Sequence, residues 1–281
     1  MNMLTRCPIP VSFFIASVLK GAVCQKLSSR RRNWVNQTVP LSKMTMNKIK
    51  AIEKYGHLYV ERFLQKQIAS KADIYNDPQR AIEFFFMKVF YRGRRDELSE
   101  RFINAALKTI RERRPSKNYD KTLFDNQLIS NGVNNRHDRR MVLEVLDFTF
   151  NSLGPYSNNI VQYTIHQIKE RKIADVFNEL IGIHAIGNKL ASFYLRDVII
   201  IYQLEKLLKP DEFRYCQPID TWVKQVALKI GIITTQKNED IEDIKNAIIK
   251  TCLDAGVSPL LFNAGMWMVG AQSFELLIEG L

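Results

Sequence analysis

From Met46 onward, apolar residues recur every three or four positions, the spacing that places them on one face of an α-helix. Between these stretches lie residues that begin or end helices, such as Asp77 followed by Pro78. The pattern predicts helices over 46–68, 78 to a break at Gly93, 97–113, 138–152, 159–170, 173–183, 187–202 and 220–230, and two more within 238–281. The run Val198–Tyr202 could be taken for a strand, but it continues the helical phase of the residues before it. The sequence therefore predicts an all-α protein.

The longest interruption of this pattern, residues 115–137, is polar and carries turn signals at Asn118, at Asn131-Gly132 and at Asn134-Asn135. Loops of this length in a compact domain are often functional. We expect an extended polar loop here.

A short connection joins two predicted helices through residues 183–187. We expect Gly187 where the backbone turns sharply and where a side chain would block close approach. The helix that follows presents unpaired N–H groups and the positive end of its dipole, which together favour a phosphate. The turn is therefore a candidate clamp for a DNA backbone, through the residues His184, Ala185, Ile186, Gly187 and Asn188.

Two residues near this turn have the chemistry of a catalytic pair. Lys189 lies in the first turn of the second helix, where the helix dipole and partial burial disfavour the charged ammonium. A nucleophilic lysine must be neutral. Asp220 begins a third helix as its N-cap, so backbone N–H groups should hold its carboxylate ionised. An ionised carboxylate can take a proton or stabilise a positive charge.

Residues 183–191, Ile-His-Ala-Ile-Gly-Asn-Lys-Leu-Ala, resemble the hairpin Leu-Pro-Gly-Val-Gly-x-Lys-x-Ala of the helix-hairpin-helix (HhH-GPD) DNA glycosylases. Residues 218–223, Pro-Ile-Asp-Thr-Trp-Val, resemble the family's Pro-Val-Asp-Thr-His-Val. By this resemblance, Lys189 corresponds to the lysine of the bifunctional members and Asp220 to the essential aspartate. Ala185 replaces the first hairpin glycine, Trp222 replaces the histidine, and the segment between lysine and aspartate is longer than in short bacterial members.

The resemblance implies a DNA repair glycosylase and abasic-site lyase that acts on double-stranded DNA with a damaged base. Such an enzyme flips the base out of the duplex, excises it through a Schiff base on Lys189 with help from Asp220, and nicks the strand by β-elimination. Oxidised guanine, 8-oxoguanine first, is the expected lesion, because lysine-bearing relatives without an iron–sulfur cluster commonly handle it. Three alternatives stay open: a non-catalytic DNA-binding protein that keeps the hairpin, a monofunctional glycosylase, and a helical interaction domain with no role on DNA.

The resemblance also suggests two helical lobes, 46–77 plus 209–281 and 78–208, with a DNA-binding cleft between them and the helix-hairpin-helix on one rim. Lys189 and Asp220 should then lie on facing walls of the cleft. Candidates for the base pocket, or for the wedge that replaces the flipped base, are Asn135, Arg136, Trp222 and Trp267. Asn263 and Trp267 would line the site if the last helix folds back against the hairpin, whereas packing in the core is their alternative.

The net charge of +12 changes the picture less than its size suggests. Residues 1–52 contain nine Lys or Arg and no Asp or Glu, and removing them leaves 32 basic and 29 acidic residues, a net of +3. Any affinity for DNA must therefore come from a local basic patch.

Residues 1–45 form an apolar stretch followed by a basic one, and we expect them to lie outside the working fold. The apolar stretch is too short to span a bilayer. Three interpretations stay open: a start codon placed too early, an organellar transit peptide, and a secretion signal with a weak cleavage site.

The four cysteines, at positions 7, 24, 216 and 252, form no CxxC pair, so neither a zinc site nor a four-cysteine iron–sulfur loop is expected. No cofactor and no metal are therefore expected. We expect a monomer that has no membrane partner and works inside the cell with DNA, in the cytoplasm, nucleoid or nucleus, or in an organelle if the leader is a transit peptide.

Overall fold

The computed structural model describes residues 43–67, 70–91, 96–234 and 240–279, and these form a mostly helical structure. The α-helices are α1 (Lys43–Tyr59), α2 (Lys71–Asn76), α3 (Pro78–Val89), α4 (Asp96–Arg113), α5 (Lys121–Ser130), α6 (Arg136–Asp147), α7 (Ile160–Lys169), α8 (Ile173–Gly182), α9 (Asn188–Tyr202), α10 (Thr221–Lys229), α11 (Ile241–Ala255) and α12 (Pro259–Glu279). No strand occurs within these ranges, which confirms the predicted all-α class. The predicted leader lies outside the described residues except for its last three, where α1 begins, and the predicted break at Gly93 lies outside them as well.

Helix α5 lies where a long polar loop was predicted, and that prediction is wrong for residues 121–130. The Asp120 side chain accepts a hydrogen bond from Leu123 N at 2.9 Å and so begins the helix as its N-cap. Phe124 and Leu128, one helical turn apart, are both buried and attach α5 to the core. Two apolar residues at helical spacing behind an N-cap were enough to form a short helix within a polar stretch.

Buried apolar side chains form two clusters. The larger draws mainly on α3 to α9, and it contains Phe84, Phe85 and Phe86, each at most 1% exposed. The smaller draws on α1, α10, α11 and α12. Trp267 on α12 packs against both clusters, so this helix links them.

Helices α1 and α12 cross so closely that their backbones touch. A Cβ atom added at Gly56 would lie 2.0 Å from Leu261 O, and one at Gly265 would lie 2.0 Å from Ile52 O. Only glycine permits such an approach. The crossing brings the end of α1 beside Trp267, whose ring centroid lies 5.8 Å from that of Tyr59.

Candidate active site

Helices α8 and α9 are joined by a tight turn, residues 183–187, that is anchored from inside. Ile183 and Ile186 are 6% and 3% exposed, and Ile186 N donates to Ile183 O at 3.1 Å. Ala185 adopts the left-handed backbone conformation, with φ of +64°. This is the position of the first glycine in the hairpin that the sequence resembles. Gly187 has an ordinary φ of −98°, and a Cβ there would meet no atom within 4 Å. The expectation that Gly187 makes the sharp turn is therefore wrong, although its exposed backbone leaves room for a close partner.

Helix α6 holds this turn from one side. His184 N donates to Glu144 Oε2 at 2.6 Å. Burial raises the pKa of Glu144, but this hydrogen bond and the nearby Arg140 outweigh burial and lower it overall. His184 Nε2 lies 2.9 Å from His137 Nδ1, at the N-terminus of α6. The turn is therefore fixed by side chains as well as by its own backbone.

Lys189 and Asp220 line the same cavity, of about 660 Å³. Lys189 is on the first turn of α9, and both side chains are half-buried. The cavity is lined by Tyr59, Phe63, Gln67, Met87, Tyr91, Glu100, Lys189, Phe193, Arg196, Pro218, Asp220, Trp222, Val223, Asn263, Trp267 and Ala271. Two residues separated by 31 positions in the chain thus share one cavity.

Asp220 is the N-cap of α10, as predicted, and its Oδ1 accepts from Val223 N at 2.9 Å. An apolar stripe on the helix behind it is buried, at Val223, Val226, Ala227 and Ile230. The cap fixes the carboxylate at the cavity wall because the helix itself is fixed by this stripe.

Aromatic side chains make up much of the cavity wall. Trp267 meets Tyr59 and Phe63 edge to face, at ring-centroid distances of 5.8 Å and 6.0 Å. Phe63 belongs to a π-helical turn, Val60–Leu64, that continues α1, and such widened turns are frequent at functional sites. Trp222 is 40% exposed at the cavity, and Gly270 makes room for it, since a Cβ at Gly270 would lie 2.6 Å from Trp222 Cβ.

The four candidates for pocket or wedge lie in two places. Trp222 and Trp267 line the cavity, and so does Asn263. Asn135 does not line it, because its side chain is the N-cap of α6, accepting from His137 N at 2.8 Å. Arg136, the first residue of α6, does not line it either. Sequence reasoning missed Phe193 and Arg196, although they follow Lys189 by four and seven positions and so share its helix face.

A buried polar network lies behind the cavity wall. The Asp197 carboxylate accepts from Tyr59 Oη at 2.7 Å and from Arg196 Nε at 3.0 Å, and it lies 2.7 Å from Lys88 Nζ. Arg196 Nη1 donates to Asn263 Oδ1 at 2.9 Å. Asn263 Nδ2 in turn donates to Pro218 O at 3.2 Å, two residues before Asp220. The network therefore joins α1, α3, α9 and α12 to the segment that carries Asp220.

Comparisons of the chain with protein-family models, with curated proteins and with solved structures each found no match. In the described part of the chain, no helix combines the length and apolar character needed to cross a membrane. Within the same residues, no group of three or more His, Cys, Asp or Glu side chains is arranged to hold a metal ion. The function of the candidate site must therefore be argued from its geometry.

Proposed function

We propose that the protein is a DNA glycosylase and abasic-site lyase that excises a damaged base and nicks the strand. The observation that carries this proposal is that Lys189 and Asp220 line one aromatic-walled cavity of about 660 Å³. A nucleophilic amine, a fixed carboxylate and a space for a flat ring are the three parts that such a reaction needs.

Lys189 would act as the nucleophile. Its neutral amine attacks C1′ of the sugar, and the bond from C1′ to the base nitrogen breaks, with the electron pair leaving on the base. Asp220 takes the proton that the attacking nitrogen loses and returns it to the sugar ring oxygen when the C1′–O4′ bond opens. The product is a Schiff base between Lys189 and the sugar. Loss of a proton from C2′ then expels the 3′ phosphate and nicks the strand.

DNA would approach at the α8–α9 turn. The first turn of α9 has N–H groups without an acceptor within the helix, and the exposed Gly187 lets a phosphate approach them. In this proposal α8 and α9 form a helix-hairpin-helix, and the chain forms two lobes, 46–77 plus 209–281 and 78–208. The smaller apolar cluster lies wholly in the first lobe, whereas the larger one is centred on the second and extends into the first. The cavity opens into the DNA-binding cleft between the lobes. Phosphate contacts of this kind hold the protein in register and do not distinguish base sequence.

The size and lining of the cavity suit a purine. The cavity volume lies within the range of about 300–1,000 Å³ that is common for small-molecule sites. Phe193 and Trp267 are among the aromatic residues that line it, and stacking of one base on an aromatic side chain contributes about 1–3 kcal/mol. An oxidised guanine, 8-oxoguanine first, is the proposed substrate. Trp222, exposed at the cavity, is the proposed wedge in preference to Asn135 or Arg136.

Borohydride trapping tests this function. The full chain is incubated with duplexes that carry 8-oxoguanine or a preformed abasic site, and borohydride reduces any Schiff base to a stable protein–DNA adduct. We expect an adduct with both duplexes, and a loss of about 10³-fold or more in Lys189→Gln, because the nucleophile is gone. The matched control is Lys169→Gln, an exposed lysine on α7 that does not line the cavity.

The alternatives predict other results. A monofunctional glycosylase releases the base without an adduct or a nick. A non-catalytic DNA-binding protein binds both duplexes tightly, with affinity that falls steeply with salt, and releases no base. A helical interaction domain with no role on DNA shows neither binding nor adduct.

A further inference from the structure

The cavity floor carries an ion cluster that the proposed chemistry of Lys189 and Asp220 does not use. We name the floor cluster as Lys88, Asp197, Arg196 and Tyr59, whose side chains meet at the Asp197 carboxylate. All four are at most 2% exposed. Two basic side chains therefore face one carboxylate in an interior with little water.

The charges of this cluster are unequal. Burial raises the pKa of Asp197, but Lys88 and Arg196 outweigh burial and lower it, so the carboxylate is ionised. Burial lowers the pKa of Arg196, but the adjacent Asp197 outweighs burial and raises it, so the guanidinium keeps its charge. One carboxylate, Asp197, is the counter-charge of both Arg196 and Lys88, so the positive charge of Arg196 is only partly neutralised. Buried charge that is not fully matched is costly and is found most often at functional sites.

Arg196 places this charge directly beside the cavity. It follows Lys189 by seven positions on the same face of α9, and both residues line the cavity. Its Nη1 is engaged with Asn263, and its Nη2 lies 2.9 Å from Asp197 Oδ1. Among the described residues, however, no acceptor is aligned with the N–H bonds of Nη2. Nη2 is itself closed off from solvent, so Arg196 acts on the contents of the cavity through its charge and not through a hydrogen bond from Nη2.

From this geometry we infer that Arg196 stabilises the departing base, and that Lys88 and Asp197 are positioning residues for it. The inference rests on the proposed glycosylase function. When the bond between C1′ and the base nitrogen breaks, its electron pair passes to the base, which leaves as an anion until it gains a proton from solvent. A fixed guanidinium beside the cavity stabilises that charge as it develops. The substrates favoured are bases that accept a hydrogen bond at a carbonyl oxygen and carry negative charge well.

Two assays on the full chain separate this role from that of Lys189. Excision of 8-oxoguanine under single-turnover conditions requires a leaving base, whereas borohydride trapping at a preformed abasic site does not. In Arg196→Gln, we expect excision to slow by about 100-fold, and by far more than trapping, because a fixed positive charge beside the developing anion is lost. Arg196→Lys, which keeps the charge, should recover part of the loss.

The identity of the base gives a second measurement. The excision rate is measured on duplexes whose purines differ in acidity at the glycosidic nitrogen. The rate of Arg196→Gln should depend more steeply on this acidity than the rate of the unaltered chain, because a more acidic base leaves readily without the guanidinium. Lys88 does not line the cavity, so Lys88→Met should lose less excision activity than Arg196→Gln while showing the same steeper dependence on acidity. Lys245→Met is the matched control, because it removes a buried lysine that is paired with Glu242 and does not line the cavity, and it should leave the dependence of excision on base acidity unchanged.

Each outcome decides the matter. Equal losses in the two assays, or an unchanged dependence on acidity, would overturn the inference and leave Arg196 a structural residue. If Arg196→Gln does not fold, judged by circular dichroism, the pattern in Lys88→Met decides instead. If the unaltered chain traps abasic DNA but excises no base, the lyase stands and the role of Arg196 falls. If it does neither, the proposed function falls first.

Discussion

Lys88 and Lys189 lie in two regions that meet at the cavity and are built in different ways. Lys88 belongs to the floor cluster, where it is fully buried and is held by Asp197 and by Gln67. Lys189 lies on the rim, half-buried, one residue after the exposed pair Gly187 and Asn188. The floor is held by contacts between distant parts of the chain, whereas the rim is held by a local turn and a helix end. A site that grips an extruded base needs a rigid floor and a rim that DNA can reach.

The largest effect should come from removing the carboxylate of the floor cluster. Asp197→Asn leaves Lys88 and Arg196 buried without their counter-charge, and we expect the free energy of unfolding to fall by about 3–5 kcal/mol. Urea unfolding followed by circular dichroism measures this. The control is Asp254→Asn, which breaks an exposed ion pair with Lys250 and should cost at most about 1 kcal/mol.

The same variant has a characteristic pH dependence. Burial lowers the pKa of Lys88, and without Asp197 nothing remains to offset that effect. The unfolded chain then binds a proton that the folded chain does not, so stability rises with pH until Lys88 of the unfolded chain also deprotonates, near about 10.4. If Asp197→Asn is as stable as the unaltered chain, or grows less stable toward alkaline pH, the floor is not an ion cluster of the kind described.

The two regions were also unequally predictable from sequence. Two features of the rim could be predicted because their signals are local: Lys189 in a first helical turn and Asp220 as an N-cap. The floor was missed because its partners are remote, with Tyr59 and Asp197 separated by 138 positions and Arg196 and Asn263 by 67. No periodicity distinguishes a buried lysine on an apolar helix from a lysine that reaches solvent. Helix α5 was missed for a smaller reason, since only two apolar residues identify it.

A second change tests how the floor is supported from α1 and α12. Gly265→Ala places a Cβ atom 2.0 Å from Ile52 O, so the two helices must separate. We expect a loss of roughly 1–3 kcal/mol in the free energy of unfolding, typical of overpacking, together with weaker base excision because Tyr59 and Trp267 shift. Thermal denaturation and single-turnover excision measure the two effects.

Gly182→Ala, at the exposed end of α8 with no atom within 4 Å of the added Cβ, should be neutral or stabilising by up to about 1 kcal/mol. If both alanine variants behave alike, the helix crossing is looser than described.

The smallest effect should come from the rim, at Ala185. An alanine in the left-handed region costs about 1–2 kcal/mol, and Ala185 has φ of +64°. Ala185→Gly removes that strain, but glycine also gains freedom in the unfolded chain worth roughly 0.5–1 kcal/mol, so the net gain should be about 0.5 kcal/mol. For a chain of this size that corresponds to a rise of roughly 1–2 °C in Tm, measured by calorimetry.

Ala174→Gly, within α8, should instead lose about 1 kcal/mol, as glycine does in a helix. Affinity for an abasic duplex should stay the same in Ala185→Gly, since the N–H groups of α9 do not change. A destabilised Ala185→Gly would mean that the turn does not place this residue in the left-handed region, and the rim would then need to be built differently from the hairpin proposed for it.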